Sequence, residues 1–401
     1  MAPLLFTVLN NEISLRLGRL SLASKILDTP NCILNTVRGS VLHLTPDNLR
    51  LLPFQAVGIT LEQLYPASLD VQPPASTKFP GGAHEFFNLQ EYLLYFDIHD
   101  PVKQVKARIN SDKFISVRTH QGIRQLTLAN YLLYMNAYKP DFFAAFSDSL
   151  IQKNHGDKRV QKSVDRTLKW LDDTLDRMEE DANVFGMLGG HNIREERVRS
   201  AQETVKRNVA GFVLNVSDIG DTSEERLDLL RTSLNHLPQE KPRLVYGLGT
   251  PGDILRAVSE GVDLFDTSYP SEMADNGHAF TFKFATDSNV SDVTTLSINL
   301  WDKSFARDFQ PFVTSCECHA CQNYTRAYTH HLLIAHEMLA SVLLISHNLF
   351  VYGRFFERIR NSIKMKTFDE DMRQFLLRHE GQAQIEHSMK HDVEPKRKTD
   401  Y

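Results

Sequence analysis

Residues 242–270 read PRLVYGLGTPGDILRAVSEGVDLFDTSYP and carry the strongest structural signal in the chain. The apolar run 243–246 ends in a glycine-rich turn, an amphipathic segment follows at 251–260, and a second apolar run at 262–266 leads into another polar turn. A strand, a helix and a strand at such short spacing predict two parallel strands joined by a crossover helix. The turns after the strands lie where (β/α)8 enzymes place their chemistry.

The same alternation extends back to about Ala129. The apolar runs DFFAAFSD, VFGMLGG and GFVLNVSD alternate with helical patterns at 158–183, 194–207 and 223–236. Apolar strands that alternate with helices are typical of a parallel sheet covered by helices on its surface. The predicted fold class is therefore α/β, a (β/α)8 TIM barrel.

Two different regions flank this alternation. The first third contains the short, often alternating runs FTVL, SLRLGRLSL, CILNTV, SVLHLTP and AVGITLEQL, and FISVRTHQGIRQLTL is typical of a hairpin around His120-Gln121-Gly122. We therefore expect an antiparallel β region at the N-terminus. After Phe282 the pattern breaks, and helical patterns follow at 325–350 and then to about Arg378.

The composition is that of a globular protein, with 401 residues of which 42% are hydrophobic and 24% charged. No transmembrane segment is predicted, because no stretch of about eighteen apolar residues is free of charges. The N-terminus lacks the features of a signal peptide, so a cytoplasmic location is expected. The formal net charge of −5 is unlike that of a dedicated nucleic-acid binder, so any RNA contact would come from a local patch or from a partner chain.

Three of the four cysteines form a C-x-C-x-x-C pattern at Cys316, Cys318 and Cys321. Such crowding is typical of a metal knuckle, and the alternative is three buried free cysteines. Three thiolates and one imidazole would close the tetrahedral shell of a structural zinc ion and leave no position for water. The candidates for the fourth ligand are His319, His330, His331, His336 and His347. A continuous helix over 325–350 would place the last two on one face.

Residues 242–281 resemble the tRNA-guanine transglycosylases, the queuine tRNA-ribosyltransferase family, which exchange a base at the wobble position of tRNA. The resemblance covers about residues 10–365, and its clearest motifs are Pro242-Arg243, Gly247-Leu-Gly249-Thr-Pro251, Gly261-Val-Asp263-Leu-Phe265-Asp266, Asn276-Gly277 and Ala279-Phe280-Thr281. The family's zinc histidine follows the last cysteine by twenty-six residues, as His347 follows Cys321 here. The resemblance therefore implies one structural Zn²⁺ held by Cys316, Cys318, Cys321 and His347.

The resemblance also implies a domain plan. A single transglycosylase-like barrel domain would cover residues 1–385 and include a zinc-binding subdomain at about 300–360. The last residues, 386–401, are polar and charged, and they are predicted to be disordered.

The family contains catalytic chains and a eukaryotic accessory chain, and the segment after Asp266 departs from the catalytic pattern. Catalytic members carry a threonine and two arginines here, and this chain has Ser271, Glu272 and Asp275 instead. Arginines would hold anticodon-loop phosphates, which acidic residues repel. Asp266 itself is retained. It is either a nucleophile that attacks the ribose C1′ or an inherited aspartate that caps the following turn.

The base pocket departs from the catalytic pattern as well. The Ser-Gly-Gly-Phe turn of catalytic members is replaced by 98–101, Ile-His-Asp-Pro, after Asp97. The aspartate that reads the guanine edge aligns with Ser147, and the catalytic glutamine aligns with Gly189. A glycine-rich loop aligns with Asn215–Asp218, where the side chain of the second residue, Val216, would crowd a flat purine.

These departures predict the accessory chain, which is not an enzyme on its own. It would pair with a catalytic homologue as a heterodimer, organised around the zinc subdomain and helix 325–350, and would contact tRNA through that complex. The reaction would be exchange of guanine-34 for queuine in tRNAs with GUN anticodons. The alternatives are a self-sufficient transglycosylase that uses Asp266, and an unrelated zinc barrel that binds another small molecule.

Overall fold

The computed structural model describes residues 3–10, 14–65, 74–101, 110–119, 122–150, 155–217, 219–284 and 295–379, which form fifteen strands and thirteen α-helices. The strands are β1 (Leu5–Val8), β2 (Gly18–Leu22), β3 (Lys25–Thr29), β4 (Asn31–Asn35), β5 (Ala56–Thr60), β6 (Leu93–Asp97), β7 (Ile115–Thr119), β8 (Gly122–Leu126), β9 (Phe142–Ala144), β10 (Val184–Leu188), β11 (Gly211–Asn215), β12 (Arg243–Tyr246), β13 (Leu264–Asp266), β14 (His278–Phe280) and β15 (Ser297–Asn299).

The helices are α1 (Pro46–Leu49), α2 (Leu61–Leu64), α3 (Ala83–Phe86), α4 (Leu128–Tyr138), α5 (Asp157–Arg177), α6 (Arg194–Val205), α7 (Ser223–Leu234), α8 (Pro251–Ser259), α9 (Ser268–Asp275), α10 (His319–Asn323), α11 (Arg326–Ile334), α12 (Met338–Met365) and α13 (Phe368–His379). Two 3-10 helices lie at Ala75–Lys78 and Lys303–Arg307.

Eight parallel strands close into a barrel in the order β4, β5, β6, β9, β10, β11, β12 and β13. The last pairs with the first, so that Phe265 lies opposite Cys32. Strands such as β6 and β10 are buried along their whole length, because side chains fill the barrel on one face and helices cover the other. The predicted (β/α)8 TIM barrel is confirmed.

An antiparallel sheet of β1, β2 and β3 covers the end of the barrel at which its strands begin. Leu20, Leu22 and Leu27 of this sheet belong to the same apolar cluster as the side chains inside the barrel. The predicted antiparallel region is therefore present but smaller than expected. CILNTV and AVGIT supply barrel strands β4 and β5, and SVLHLTP forms no strand.

The predicted hairpin is formed by β7 and β8, which pair antiparallel from Ile115–Leu126 to Thr119–Gly122. Its turn residues His120 and Gln121 lie outside the described residues, as does the predicted tail 386–401. The long helix expected at 158–183 is α5, which ends at Arg177.

The single helix predicted over 325–350 is wrong. Two helices occupy this region, α11 and α12, and the backbone turns between them at His336, whose φ is 57°. The second helix continues to Met365. By length and composition it could cross a membrane, but 61% of its apolar window is buried inside the protein.

Helix α12 is a core helix, because it packs against α9, β4 and β14. Pairing with a partner chain is expected to be organised around helix 325–350, but most leucines of this region are buried within the chain itself. Leu332, Leu333, Leu343 and Leu344 all belong to the main hydrophobic core. These leucines are therefore not available as an interface in the folded chain.

Candidate functional site

Four side chains that the sequence singled out meet in one place. The ligand atoms of Cys316, Cys318, Cys321 and His347 all lie within 4.8 Å of one another. The three cysteines come together because α10 begins directly after Cys318. The Cys321 N–H then donates a hydrogen bond to the Cys318 sulfur at 3.3 Å. Helix α12 supplies the buried imidazole of His347.

The distances in this cluster fit a tetrahedral metal ion. The Nδ1 atom of His347 lies 3.3 Å from the sulfurs of Cys318 and Cys321 and 3.7 Å from that of Cys316. A tetrahedral zinc ion with ordinary bond lengths separates sulfur and nitrogen ligands by about 3.6 Å. The other ring nitrogen, Nε2, lies 2.8 Å from the carbonyl oxygen of Phe280 and donates to it when Nδ1 binds a metal.

The protonation of the cluster also favours a cation. Hydrogen bonding with Cys318 and Cys321 lowers the pKa of Cys316, whereas hydrogen bonding with Cys316 and Cys318 raises the pKa of Cys321. A group of thiols this close cannot lose all its protons unless a positive ion replaces them. The four residues could therefore hold a metal ion.

The other candidate histidines lie elsewhere. His319, His331 and His336 are exposed, and His336 sits in the turn between α11 and α12 rather than on one helix face with His347. His330 is buried, with its Nδ1 atom 2.8 Å from the carbonyl oxygen of Leu300.

Asp266 lies at the end of β13, where catalytic groups of a barrel are placed. Its carboxylate oxygens, however, accept hydrogen bonds from backbone N–H groups. Oδ2 accepts from Gly247 N–H at 2.9 Å, and Oδ1 accepts from Ser268 N–H at 2.7 Å and from the Ser268 hydroxyl. The side chain is 6% exposed. This arrangement is that of an aspartate that fastens the turn into α9 and the neighbouring turn after β12.

Asp97 ends strand β6 on the same side of the barrel. It accepts from the Tyr95 hydroxyl at 2.9 Å and from Ile98 N–H at 2.6 Å. Burial raises its pKa, although these hydrogen bonds oppose the change. Asp97 lines two cavities of about 10 Å³ each, which it shares with Tyr246. A cavity of that size has room for about one water molecule.

The three positions aligned with base-reading residues lie at or near this mouth. Ser147 and Gly189 line one further cavity of about 40 Å³, together with Asn215. Val216 is fully buried, and its N–H donates to the carbonyl oxygen of Tyr246 at 3.0 Å. Asp218, the last residue of that aligned segment, lies outside the described residues.

The two acidic residues after Asp266 lie on helix α9. Glu272 is half-buried and Asp275 is exposed. The carboxylate of Asp275 lies 3.4 Å from the ring of His43. Both acidic side chains are therefore carried by the helix that begins at the mouth of the barrel.

One ionic cluster at the mouth was not predicted. Asp148 follows Ser147 and accepts from Arg159, Arg166 and Asn110 at 2.7–2.9 Å. Asp148 stands between Ser147 and Ser149, and nothing in this polar stretch indicated that three donors from distant positions would converge on it. The position of Tyr246 was not predictable either, because only the closed barrel brings it beside Asp97.

Comparisons with known proteins agree with this geometry. The sequence matches the family described as Queuine tRNA-ribosyltransferase over residues 12–381. Three similar proteins are each named queuine tRNA-ribosyltransferase accessory subunit 2. The human protein is 35% identical over 87% of this chain and 93% of its own length, and the Danio rerio protein is 34% identical over 88% and 93%. The Trichoplax adhaerens protein is 33% identical over 88% and 94%. The chain therefore belongs to the queuine tRNA-ribosyltransferase family.

Proposed function

We propose that this chain is a non-catalytic accessory subunit, which pairs with a catalytic homologue for the exchange of guanine-34 by queuine in tRNAs with GUN anticodons. The observation that carries this proposal is the state of Asp266. Both oxygens of this carboxylate accept hydrogen bonds from the turns beside it, which is the arrangement of a residue that fastens those turns.

The surroundings of Asp266 support the same conclusion. Ser147 and Gly189 cannot supply the carboxylate and amide that would read a base edge, and Val216 fills space that a glycine would leave open. Glu272 and Asp275 place negative charge where RNA phosphates would need positive charge.

The partner surface in this proposal lies on the C-terminal subdomain. Its exposed apolar and aromatic side chains are Trp301, Phe309, Tyr328, Ile334 and Met338, which we call the aromatic surface. They lie on adjoining segments, because the segment around Phe309 bonds to the start of α11 and the Trp301 ring lies 6.2 Å from that of His336 in the turn between α11 and α12. Exposed apolar patches of this kind are typical of protein interfaces.

The occupant we propose for the aromatic surface is the catalytic homologue. The similar proteins are named as accessory subunits, and an accessory subunit needs another chain to assist. A homologous barrel would offer a related surface of its own, so the two chains could pair with pseudo-twofold symmetry.

The ion in the Cys316–His347 cluster is zinc in this proposal. Three thiolates and one imidazole prefer Zn²⁺, and with four protein ligands the ion has no open position for substrate. Its contribution would be to hold the knuckle against α12 and thereby to shape the aromatic surface.

Incorporation of labelled guanine or queuine into tRNA tests the proposal directly. The chain alone should show no exchange above background, and addition of the catalytic partner should give exchange. In that mixture Asp266→Asn should leave the rate per folded complex unchanged, because this carboxylate does not react in the proposed accessory chain. The asparagine can accept only one of the two backbone hydrogen bonds, so thermal melting must accompany the assay. Asp275→Asn serves as an exposed control. Exchange by the chain alone that Asp266→Asn abolishes would establish the self-sufficient enzyme instead.

We also place the chain in the cytosol, since a structural thiolate site of this kind needs a reducing compartment. Subcellular fractionation with organelle markers tests this location, and recovery mainly in a secretory fraction would contradict it.

A further inference from the structure

The cavity of about 40 Å³ at the barrel mouth is lined in part by Arg197. This side chain is 2% exposed. Its Nε donates to the carbonyl oxygen of His191 at 2.6 Å and its Nη1 donates to Ser233 Oγ at 3.1 Å. Nη2 donates to no described residue. Among the described residues no carboxylate pairs with this buried charge.

A buried cation without an anionic partner is costly. Burial lowers the pKa of Arg197 to about 10, so the group remains charged at neutral pH. The structure thus keeps a positive charge at the cavity, and an anion that entered would supply the missing partner.

The one acidic side chain among the described residues that line this cavity does not cancel that charge. Both oxygens of Asp148 accept hydrogen bonds. Oδ1 accepts from Arg159 and Asn110, and Oδ2 accepts from Arg159 and Arg166. Arg166 also pairs with Asp112, so the two guanidinium groups face two carboxylates and these four groups together are formally neutral. The uncompensated positive charge beside the cavity is therefore that of Arg197.

The rest of the cavity lining includes polar side chains and a glycine turn that packs closely against the backbone of α6. Ser147 and Ser149 present hydroxyl groups that lie 3.2 Å apart. Gly190 has a φ of +108°, and a Cβ atom there would meet the backbone nitrogen of Arg197 at 2.4 Å. A glycine-rich turn after a strand, packed on the start of a helix, is a frequent setting for oxyanions.

We propose that this cavity binds the phosphate group of a small ligand, either free phosphate or a phosphate monoester, with Arg197 as its buried counter-charge. The cavity has room for a small tetrahedral anion, and the hydroxyl groups in its lining can donate to the anion's oxygens. The inference does not rest on the proposed accessory function, because it concerns this chain alone and needs no partner.

Calorimetric titration of the purified full chain tests the site, with inorganic phosphate as one probe and methyl phosphate as the other. We expect saturable binding that sodium chloride at matched ionic strength does not reproduce. Binding of both probes assigns the site to phosphate monoesters, and binding of phosphate alone assigns it to the free ion. Absence of saturable binding by either probe would overturn the proposal.

Ser147→Asp is the decisive variant, because it adds a negative charge to the lining without removing any hydrogen bond of Arg197. It should weaken phosphate binding by at least about tenfold. Ser147→Ala is the matched neutral control and should keep most of the affinity. Arg197→Gln should abolish binding, but it also removes bonds within the fold, so Ser147→Asp decides the test. Equal affinities for wild type and Ser147→Asp would show that phosphate binds elsewhere.

Discussion

Cys318 joins the knuckle to the helix that follows it, because its sulfur accepts from Cys321 N–H and also lies 3.3 Å from His347 Nδ1. Replacement of this sulfur would therefore disturb both the proposed metal site and the start of α10. The cysteine ligands were predictable, since three cysteines within six residues are typical of a metal knuckle. The histidine was predictable only through the family's spacing, because the residues alone left five candidates.

Cys318→Ser should lose the bound ion and unfold at least the C-terminal subdomain. The binding free energy of a structural zinc site is on the order of 10 kcal/mol and is itself folding free energy. Metal analysis and thermal melting by circular dichroism measure the two effects. The exposed residue His319 offers the control, and His319→Ala should keep one equivalent of zinc. A wild-type protein purified without chelator that contains no zinc would contradict the prediction.

The role of Asp266 could not be predicted from the sequence motif. Its position at the end of a barrel strand fits a nucleophile and a cap equally well, and the residues next to it in sequence do not distinguish the two. The choice needs the partners of its two oxygens, Gly247 and Ser268, and those depend on the turns of two neighbouring strands.

At the scale of elements, helix α5 is fastened to the barrel mouth by ionic contacts. Arg159 and Arg166 lie on its surface and both bond to the buried carboxylate of Asp148. Burial alone would raise the pKa of Asp148, but hydrogen bonds from Arg159 and Asn110, and the contacts with Arg166, outweigh it and hold the pKa below its usual value. The ionised form therefore stabilises the folded chain.

This stabilisation should depend on pH in one direction. A carboxylate with a lowered folded pKa contributes stability above its unfolded pKa of about 4 and loses that contribution as pH falls through the folded value. Asp148→Asn should lower stability at pH 7 by about 3 kcal/mol, because it removes the buried carboxylate that two guanidinium groups share.

The difference between Asp148→Asn and wild type should shrink below about pH 4, which thermal or urea unfolding at several pH values would measure. Asp28→Asn is the control. Asp28 pairs with Arg19 at an exposed site, where an ion pair contributes little. A gap between Asp148→Asn and wild type that stays constant from pH 7 to about pH 3 would contradict the assignment.

The boundary between α11 and α12 could not be predicted from the sequence. Apolar residues continue through 325–350 without a glycine or proline, so nothing marks the turn at His336. At this turn the Trp301 ring lies 6.2 Å from the ring of His336, and the 3-10 helix Lys303–Arg307 packs on α11. Tertiary contacts of this kind leave no periodic signal.

At the scale of the whole molecule, closure of the barrel explains the largest difference from the sequence prediction. The sequence segments that form β4 and β5 are short and resemble the alternating apolar and polar runs of an antiparallel sheet. In the structure, β4 pairs in parallel with β13, more than two hundred residues away. The alternation between about 129 and 270 was predictable because each unit is local. The pairing of β13 with β4, which closes the barrel, could not be predicted from the local sequence pattern.

The aromatic surface is the part of the molecule on which the proposed assembly depends, and Met338 lies at its edge as the first residue of α12, with 81% of its surface exposed. Met338→Asp should weaken pairing with the catalytic homologue by about tenfold or more, because a charge would be buried in an apolar interface. An acidic residue is favourable at a helix N-terminus, so the fold should survive. Met365→Asp is the matched control, about 40 Å away along the same helix.

Size-exclusion co-elution and tRNA affinity, measured for each chain and for the mixture, test this assembly. The net charge of −5 and the acidic residues of α9 should keep tRNA binding weak for the isolated chain, and the mixture should bind more tightly. Met338→Asp should reduce the affinity of the mixture to that of the catalytic chain alone, whereas Met365→Asp should not. The assembly is refuted if the wild-type chains elute separately at micromolar concentration, or if this chain alone binds tRNA as tightly as the mixture does.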